Sequence, residues 1–482
     1  MMSLTEYSAC DATDLASLVK RREVSARELA QTALVAVDVV NDRLNAVIEV
    51  YPERLDNLDD EYLAALPLGG VPFFFKDLGP TEVGKKSEWG SHFSAGMTAE
   101  GTTFLTDRFH AAGLSVLGRT SCPEFGFTIS TESRLNGVTR NPWDTELTPG
   151  GSSGGSAAIV AAGVVPIAHT NDGAGSTRVP ASICGLVGLK CSRGTVSLGP
   201  GAGDVMFPLY SEFVASRSVR DTEAVLNAIS GPMPGESVYS QLRVATLRSA
   251  GRRPRIAMSR MNWGGKAATP AVRSAVLTIV PTLEALGFDV DVADPAIDFA
   301  EFHKVTTDFY SLYAMVEIDM MARALGKPVD PFLFEPVSYR LYEQGKSQGL
   351  SVYLHALDRM NQYSRALGSF FERFDYYVTP TLATTTPKAG ALSLDRDIAI
   401  ETFHEQWAHT SPYCSLANFT GIPAVSLPLL THADGTPLGV MFMAPIGAER
   451  DLLSIAYDLE AALPWVARRP AVHVARAAAA LG

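Results

Sequence analysis

"TPGGSSGGSAAIVAAG", residues Thr148–Gly163, runs a glycine–serine loop directly into a stretch of small apolar residues. A flexible linker, a phosphate-binding loop, the nucleophile elbow of a hydrolase and a loop of some other active site all accommodate such a stretch. A linker needs a polar segment between independent units, whereas "AAIVAAG" requires burial. A phosphate loop ends on Gly-Lys-Ser/Thr; that ending is missing, and no Gly-x-Gly-x-x-Gly follows a strand. "GSSGG", Gly151–Gly155, satisfies Gly-x-Ser-x-Gly with Ser153 at its centre, but an elbow is entered from a buried strand. The approach, "TRNPWDTELTPG", is polar, holds two prolines and reads as a loop. The elbow would also have to recruit His404 or His409, whose surroundings lack the character of a catalytic turn. An active-site loop of another kind is the reading that remains.

Outward from that loop the chain alternates strands and helices. "DATDLASLVKRREVSARELAQ…" reads as two helices, the second opened by the capping pattern of Ser25 and Glu28, and then a strand. "LGGVPFFFKDLG", "AGLSVLGRT" and "VPIAHTND" read as buried strands, with a helix starting near Ser156 between the last two. A βαβ rhythm resumes with "RPRIAMSR", one amphipathic helix over "TPAVRSAVLTIVPTLEALGF", and "DVDVADP". Residues from about 300 to 373 are mostly helical; "FDYYVTPTL" and "GIPAVSLPL" follow as strands and "ERDLLSIAYDLEAAL" as a late helix. Continuous apolar strands argue for an α/β fold with its sheet covered on both faces. Length alone suggests about two to four domains, but the lack of repeats and long linkers argues for one large domain.

Composition narrows the function classes. The 482 residues are 46% hydrophobic, 19% charged and 9% aromatic, values of a folded globular chain. The net charge of −12 disfavours a nucleic-acid partner, and the basic run "GRRPR", Gly251–Arg255, reads as a solvated turn. Five cysteines are too few for a disulfide framework; Cys122, Cys184, Cys191 and Cys414 read as buried free thiols. The N-terminus has no secretory character, and the longest apolar run is too short to span a membrane. A soluble cytoplasmic protein is the expectation, with no membrane partner. "HEQWAH", His404–His409, is one residue too long for a zinc helix: positions i and i+5 lie about 140° apart. No metal and no cofactor is expected.

A second glycine-rich turn lies downstream. In "AHTNDGAGSTRVPASICGLVGLK", Ala168–Lys190, Ser176 sits at the tip of a turn whose small residues at 173–175 let successive N–H groups face one side. Such a nest suits the oxyanion formed when an amide carbonyl is attacked.

With "GVPFFFKD" (Gly70–Asp77), the two glycine-rich motifs make the sequence resemble the amidase signature family of serine hydrolases. The likeness extends more loosely to "FDYYVTPTL", "ANFTGIPAVSLPL" and "PLGVMFMAP". It implies a single catalytic domain over 1–482, built on a mixed, twisted β-sheet under helices, with a signature core at about 70–200 and a variable pocket region at about 200–420. It also implies a Ser–Ser–Lys triad: Lys76 as base, Ser152 beside an unusual cis peptide bond as relay, and Ser176 as nucleophile. The N–H groups of Gly173, Ala174, Gly175 and Ser176 would form the oxyanion hole, with Ser153, Asp172 and Arg178 as supports. Ala174 replaces the usual glycine, and "LKCSRG" the usual Leu-Lys-Pro-Thr run. Within the family, the Ser176 segment and the tail "EAALPWVARRP" look most like bacterial hydrolases of nylon-oligomer cyclic amides.

The chemistry asks for these residue types. A serine hydroxyl needs a base, and an ordinary lysine with pKa about 10.4 is neutral in roughly one molecule in several thousand at pH 7. Burial that lowers the pKa by about three units removes most of that obstacle, and three phenylalanines precede Lys76. Asp77 would oppose the effect if close, but neighbouring strand residues point to opposite faces. "TTDFYSLYAM" and "FHEQWAHTSPY" are aromatic enough to suggest a small apolar, aryl or cyclic amide as substrate. A carbamate or ester, or the role of amidase subunit in a tRNA-dependent amidotransferase, are the alternatives. The expected partner is a small-molecule amide, and a homodimer is compatible with the sequence.

Overall fold

The computed structural model describes residues 2–203, 208–236 and 253–481. The main strands are β1 (Val47–Val50), β2 (Pro72–Lys76), β3 (Ser115–Thr120), β4 (Ile167–Asn171), β5 (Val187–Lys190), β6 (Glu212–Ser216), β7 (Arg255–Met258), β8 (Asp289–Val292), β9 (Tyr376–Pro380), β10 (Ala424–Thr431) and β11 (Pro437–Met443). The helices that matter to the site are α1 (Ala26–Leu44), α2 (Gly154–Ala161), α3 (Arg178–Cys184), α4 (Phe299–Leu325), α5 (Pro336–Ser347), α6 (Leu350–Phe371), α7 (Ile400–Thr410) and α8 (Ser415–Thr420).

Eight strands form one mixed sheet in the order β8-β7-β9-β11-β10-β5-β6-β4. Only the β8–β7 and β7–β9 pairings are parallel; every later pairing is antiparallel. Strands β5, β9 and β11 are buried at every residue, so both sheet faces are covered, as the unbroken apolar runs require. Edge strand β8 is instead largely exposed, and its alternating Asp289 and Asp291 suit an unpaired margin.

Lys76 does not sit in the large sheet. It ends β2, which pairs in parallel with β3, and β3 pairs antiparallel with β1 in a separate three-stranded sheet. The two sheets meet where the N–H of Lys76 donates to Nδ1 of His169 on β4 at 3.3 Å. Phe73, Phe74 and Phe75 are buried, and Phe73 and Phe75 pack on Phe109 at ring distances of 4.9 and 5.9 Å.

Helix α2 is not amphipathic. Its GGSAAIVA run is buried on every side, which small residues permit because neighbours can approach its backbone. A Cβ at Gly155 would stand 2.5 Å from the carbonyl oxygen of Ser121, so only glycine fits there. Two expectations change in detail. "TPAVRSAVLTIVPTLEALGF" forms two short helices, Pro270–Leu277 and Val280–Ala285, because Pro281 has no N–H to continue the ladder. Ser25 does cap α1 by accepting the N–H of Glu28, but the Glu28 carboxylate turns instead to the N–H of Met2.

Part of the "GRRPR" run, residues 251 and 252, lies outside the described residues; Arg253 and Arg255 pair with Asp289 and Asp291 at 3.4 and 2.8 Å. All five cysteines are free, four of them buried. Among the described residues no helix is long and apolar enough to cross a membrane, and no group of three or more His, Cys, Asp and Glu could hold a metal ion.

Candidate active site

The loop Thr148–Ser153 is held by hydroxyls rather than by strand pairing. Thr131 Oγ1 donates to the carbonyl of Gly150 at 2.8 Å and accepts the N–H of Gly154 at 3.1 Å. Thr148 Oγ1 accepts the N–H of Gly150 at 3.1 Å. The Gly151–Ser152 peptide bond is cis. Ser153 Oγ lies 3.2 Å from the carbonyl of Asn171 and 3.3 Å from its N–H, which ties this loop to the end of β4.

The second loop, Asp172–Thr177, joins β4 to α3 around one buried carboxylate. Asp172 accepts the N–H groups of Gly175, Thr177 and Arg178 at 2.7, 3.3 and 3.4 Å. It also receives Arg178 Nε and Nη2 at 2.9 and 2.8 Å and Asn418 Nδ2 at 3.0 Å. Burial opposes the charge on Asp172, but the Arg178 guanidinium outweighs it and holds the carboxyl well below the usual range. Arg178 reaches on to the carbonyl of Cys414 and to Asn418 Oδ1 at 2.8 and 2.7 Å, so the loop is also anchored to α8.

Of the four N–H groups expected to face an oxyanion, that of Gly175 is committed to Asp172. The N–H groups of Gly173, Ala174 and Ser176 have no acceptor among the described residues, and these three residues line a cavity that Gly175 does not reach. Gly175 has φ +125°, and a Cβ there would meet Cys414 Cβ at 2.7 Å. Ala174 adopts no left-handed φ, which is why its methyl group is tolerated.

Lys76 is 1% exposed. Its Nζ lies 2.6 Å from Ser152 Oγ and 2.6 Å from Asn171 Oδ1. Burial lowers its pKa to about 8, against opposing pulls from Cys122, Glu212, Asp172 and Glu317. Asp77, buried beside it in sequence, is engaged elsewhere: it pairs with Arg119 and accepts the N–H groups of Glu88 and Gly90 at 2.9 and 3.2 Å. Arg119 also pairs with Glu49 and Glu88, at 2.7 and 2.9 Å.

Behind Lys76, His169 Nδ1 accepts the Lys76 backbone N–H, so its proton resides on Nε2 and is donated to Glu212 Oε2 at 2.7 Å. That network fixes the end of β2 from below.

The cavity over Ser152 and Ser176 has a volume of about 50 Å³. One wall is the segment Gly126–Ile129; α4 contributes Tyr310, Tyr313 and Glu317, and α7 contributes Phe403, His404 and Trp407. His404 is buried, with burial pushing its pKa down to about 4, while His409 lies exposed five residues on. The two aromatic segments singled out in the sequence therefore both reach the cavity.

Residues remote in sequence are thus brought together: Lys76 touches Ser152, Ser152 and Ser176 share one cavity, Ser153 ties the first loop to Asn171, and Asp172 and Arg178 tie the second loop to α8. Sequence reasoning missed Asn171, Asn418, Tyr210 and Glu317. Asn171 stands next to Asp172 in a motif already singled out, and Glu317 is an acid inside the apolar run "YAMVEIDMM". Asn418 lies in "ANFTGIPAVSLPL", a stretch of the looser likeness, and nothing in the sequence marks Tyr210.

A family model described as Amidase matches residues 28–453. The chain is 34% identical to a 6-aminohexanoate-cyclic-dimer hydrolase of Pseudomonas sp. (strain NK87), over 95% of this chain and 96% of that protein. It is 31% identical to one subunit of the glutamyl-tRNA(Gln) amidotransferase of Prochlorococcus marinus (strain MIT 9313), over 94% and 97% of the two chains. The structure of a 6-aminohexanoate cyclic dimer hydrolase complexed with substrate superposes with a TM-score of 0.88 at 33% identity, covering 96% of this chain and 99% of that one.

Proposed function

The chain belongs to the amidase family, hydrolases of amide carbon–nitrogen bonds, and on that premise we propose that it works through a Ser176 acyl-enzyme with Ser152 and Lys76 as proton relay. The observation that carries this reading is the buried Lys76 amine 2.6 Å from Ser152 Oγ, with Ser152 and Ser176 in the wall of one cavity. Asn171 supports it. Its Oδ1 can only accept, and its Nδ2 donates to the carbonyl of Leu78 at 2.9 Å, so its orientation is set. One hydrogen of a neutral Lys76 amine then points at Asn171, which leaves the nitrogen lone pair for the Ser152 hydroxyl proton.

As Ser176 Oγ attacks the carbonyl carbon, its proton passes to Ser152 Oγ, and the Ser152 proton passes to Lys76 Nζ. The carbonyl oxygen gains negative charge and accepts the N–H groups of Gly173, Ala174 and Ser176; one such donor is worth about 2.7–4 kcal/mol of barrier. Collapse breaks the C–N bond. The leaving amine takes a proton back through Ser152 from Lys76, and the acyl group stays on Ser176. Water repeats the sequence and releases the carboxylic acid.

The cavity supports a small apolar, aryl or cyclic amide, since Phe127, Ile129, Leu341 and Phe403 line it beside the aromatic residues of α4 and α7. Treatment with a serine-directed fluorophosphonate followed by mass spectrometry tests the nucleophile: one adduct in the wild type, none in Ser176→Ala. An adduct that persists in the variant refutes the assignment. A panel of linear amides, lactams, esters and carbamates tests the substrate class. A cyclic or aryl amide turned over no faster than acetamide would remove it. The similarity to the amidotransferase favours a second reading, which predicts glutaminase activity within a stable heteromer; full activity of the isolated chain on small amides excludes it.

A further inference from the structure

Glu317, 5% exposed on α4, faces the same cavity as the two serines. Its Oε1 accepts the Tyr210 hydroxyl at 2.9 Å, while its Oε2 is buried and has no hydrogen-bond partner among the described residues. A buried polar atom left open costs stability unless a ligand satisfies it. The rings of Tyr210, Tyr310, Tyr313 and Trp407 line the same cavity. Glu317, Asn171 and Tyr210 also form the wall shared with a neighbouring cavity of about 420 Å³, whose described lining adds Glu212 and Glu100. Among the described lining residues of both cavities there is no Lys or Arg, so every formal side-chain charge facing them is negative.

We propose that Glu317 is a specificity-determining residue that takes a protonated amine on the substrate, with Oε2 receiving the ammonium and the aromatic rings enclosing it. The proposal deepens the hydrolase reading above and rests on it. Aromatic faces and a carboxylate together form a site for an organic cation, and cavities whose formally charged residues, among those described, are all carboxylates disfavour an anionic substrate.

The relay supplies a second reason. A bare carboxylate at 317 attracts a proton toward Lys76, which the mechanism needs as the free amine. Burial raises the Glu317 carboxyl to about 8, while the Tyr210 hydroxyl and Lys76 favour its ionised form. A substrate ammonium balances the ionised carboxylate, so Glu317 can be charged without holding Lys76 protonated. The proton that Glu317 gives up on binding goes to solvent, or to the substrate nitrogen if that nitrogen arrives neutral.

The test compares the p-nitroanilides of 6-aminohexanoic and heptanoic acids, chains of equal length ending in ammonium or methyl. Wild-type enzyme is expected to prefer the ammonium chain in kcat/KM by about tenfold or more, and Glu317→Gln to abolish that preference through KM. As a measurement that needs no variant, n-hexylammonium is expected to inhibit the wild type competitively and hexan-1-ol not to. A preference retained in Glu317→Gln, a wild type that favours the heptanoyl chain, or equal inhibition by amine and alcohol overturns the proposal. Turnover surviving in Ser176→Ala, or no wild-type turnover of either anilide, overturns the underlying reading as well and is distinguished by that control.

Discussion

The most direct perturbation of the relay is pH. In the proposed relay Lys76 acts as the free amine, and burial brings its pKa from an ordinary 10.5 to about 8. The difference corresponds to about 3.4 kcal/mol, at 1.36 kcal/mol per pH unit. At pH 7 an amine of pKa about 8 is free in about one molecule in eleven, against about one in 3,000 for an ordinary lysine. Deprotonation activates, so kcat/KM for an uncharged amide rises with pH, gains about tenfold between pH 7 and 9, and levels off above that. The groups facing Lys76 are Cys122, Glu212, Asp172 and Glu317, with His169 at its backbone. Of these, the Glu317 carboxyl is also pushed up to about 8, so the profile is measured in Glu317→Gln too, where the rise should persist. Lys76→Met, which keeps most of the buried volume, should lower kcat by about 10²- to 10⁴-fold and flatten the profile. A thermal melt checks that the variant remains folded. A wild-type rate that is flat from pH 6 to 10, one still climbing past pH 10, or a folded Lys76→Met variant at full rate would refute the reasoning.

Two further outcomes test the scaffold. Asp172→Asn leaves the Arg178 guanidinium buried without its counter-charge, so urea denaturation should report a loss of about 3–5 kcal/mol; unchanged stability would show that the pair does not hold the serine loop. Gly175→Ala forces a Cβ to within 2.7 Å of Cys414 Cβ at φ +125°. Steady-state kinetics should show a drop in kcat of about tenfold or more, whereas Ala174→Gly should stay within about threefold of wild type. Equal effects of the two substitutions would contradict the geometry of the nest.

Much of the fold could be read directly because each signal was local. The largely apolar runs around β2, β3 and β9 announce buried strands, and the residues joining β4 to α3 announce a tight turn. Where local signals competed, reading fell short. The periodicity over residues 269–288 supports one helix, and Pro281 outweighs it by removing a donor. The motif "GVPFFFKD" marks Lys76 but does not reveal that its strand belongs to a second sheet, because sheet membership depends on pairing with residues some 40 positions away.

The chain's order of residues determined by itself the local setting of three groups: an amine after three phenylalanines, and two serines in glycine-rich turns. That setting was legible, since turn-forming and strand-forming tendencies are properties of neighbouring residues, whereas the roles of the three groups came from the family resemblance. Only the tertiary structure decided what each group experiences. Tertiary packing buried Lys76 to 1% exposure and turned Asp77 to Arg119. It also left Glu317 Oε2 buried with no hydrogen-bond partner among the described residues, in the cavity that Ser152 and Ser176 line. Desolvation and these hydrogen-bond partnerships arise between segments far apart in sequence, 42 residues for Asp77 and Arg119 and 107 for Glu317 and Tyr210, and no local pattern carries them.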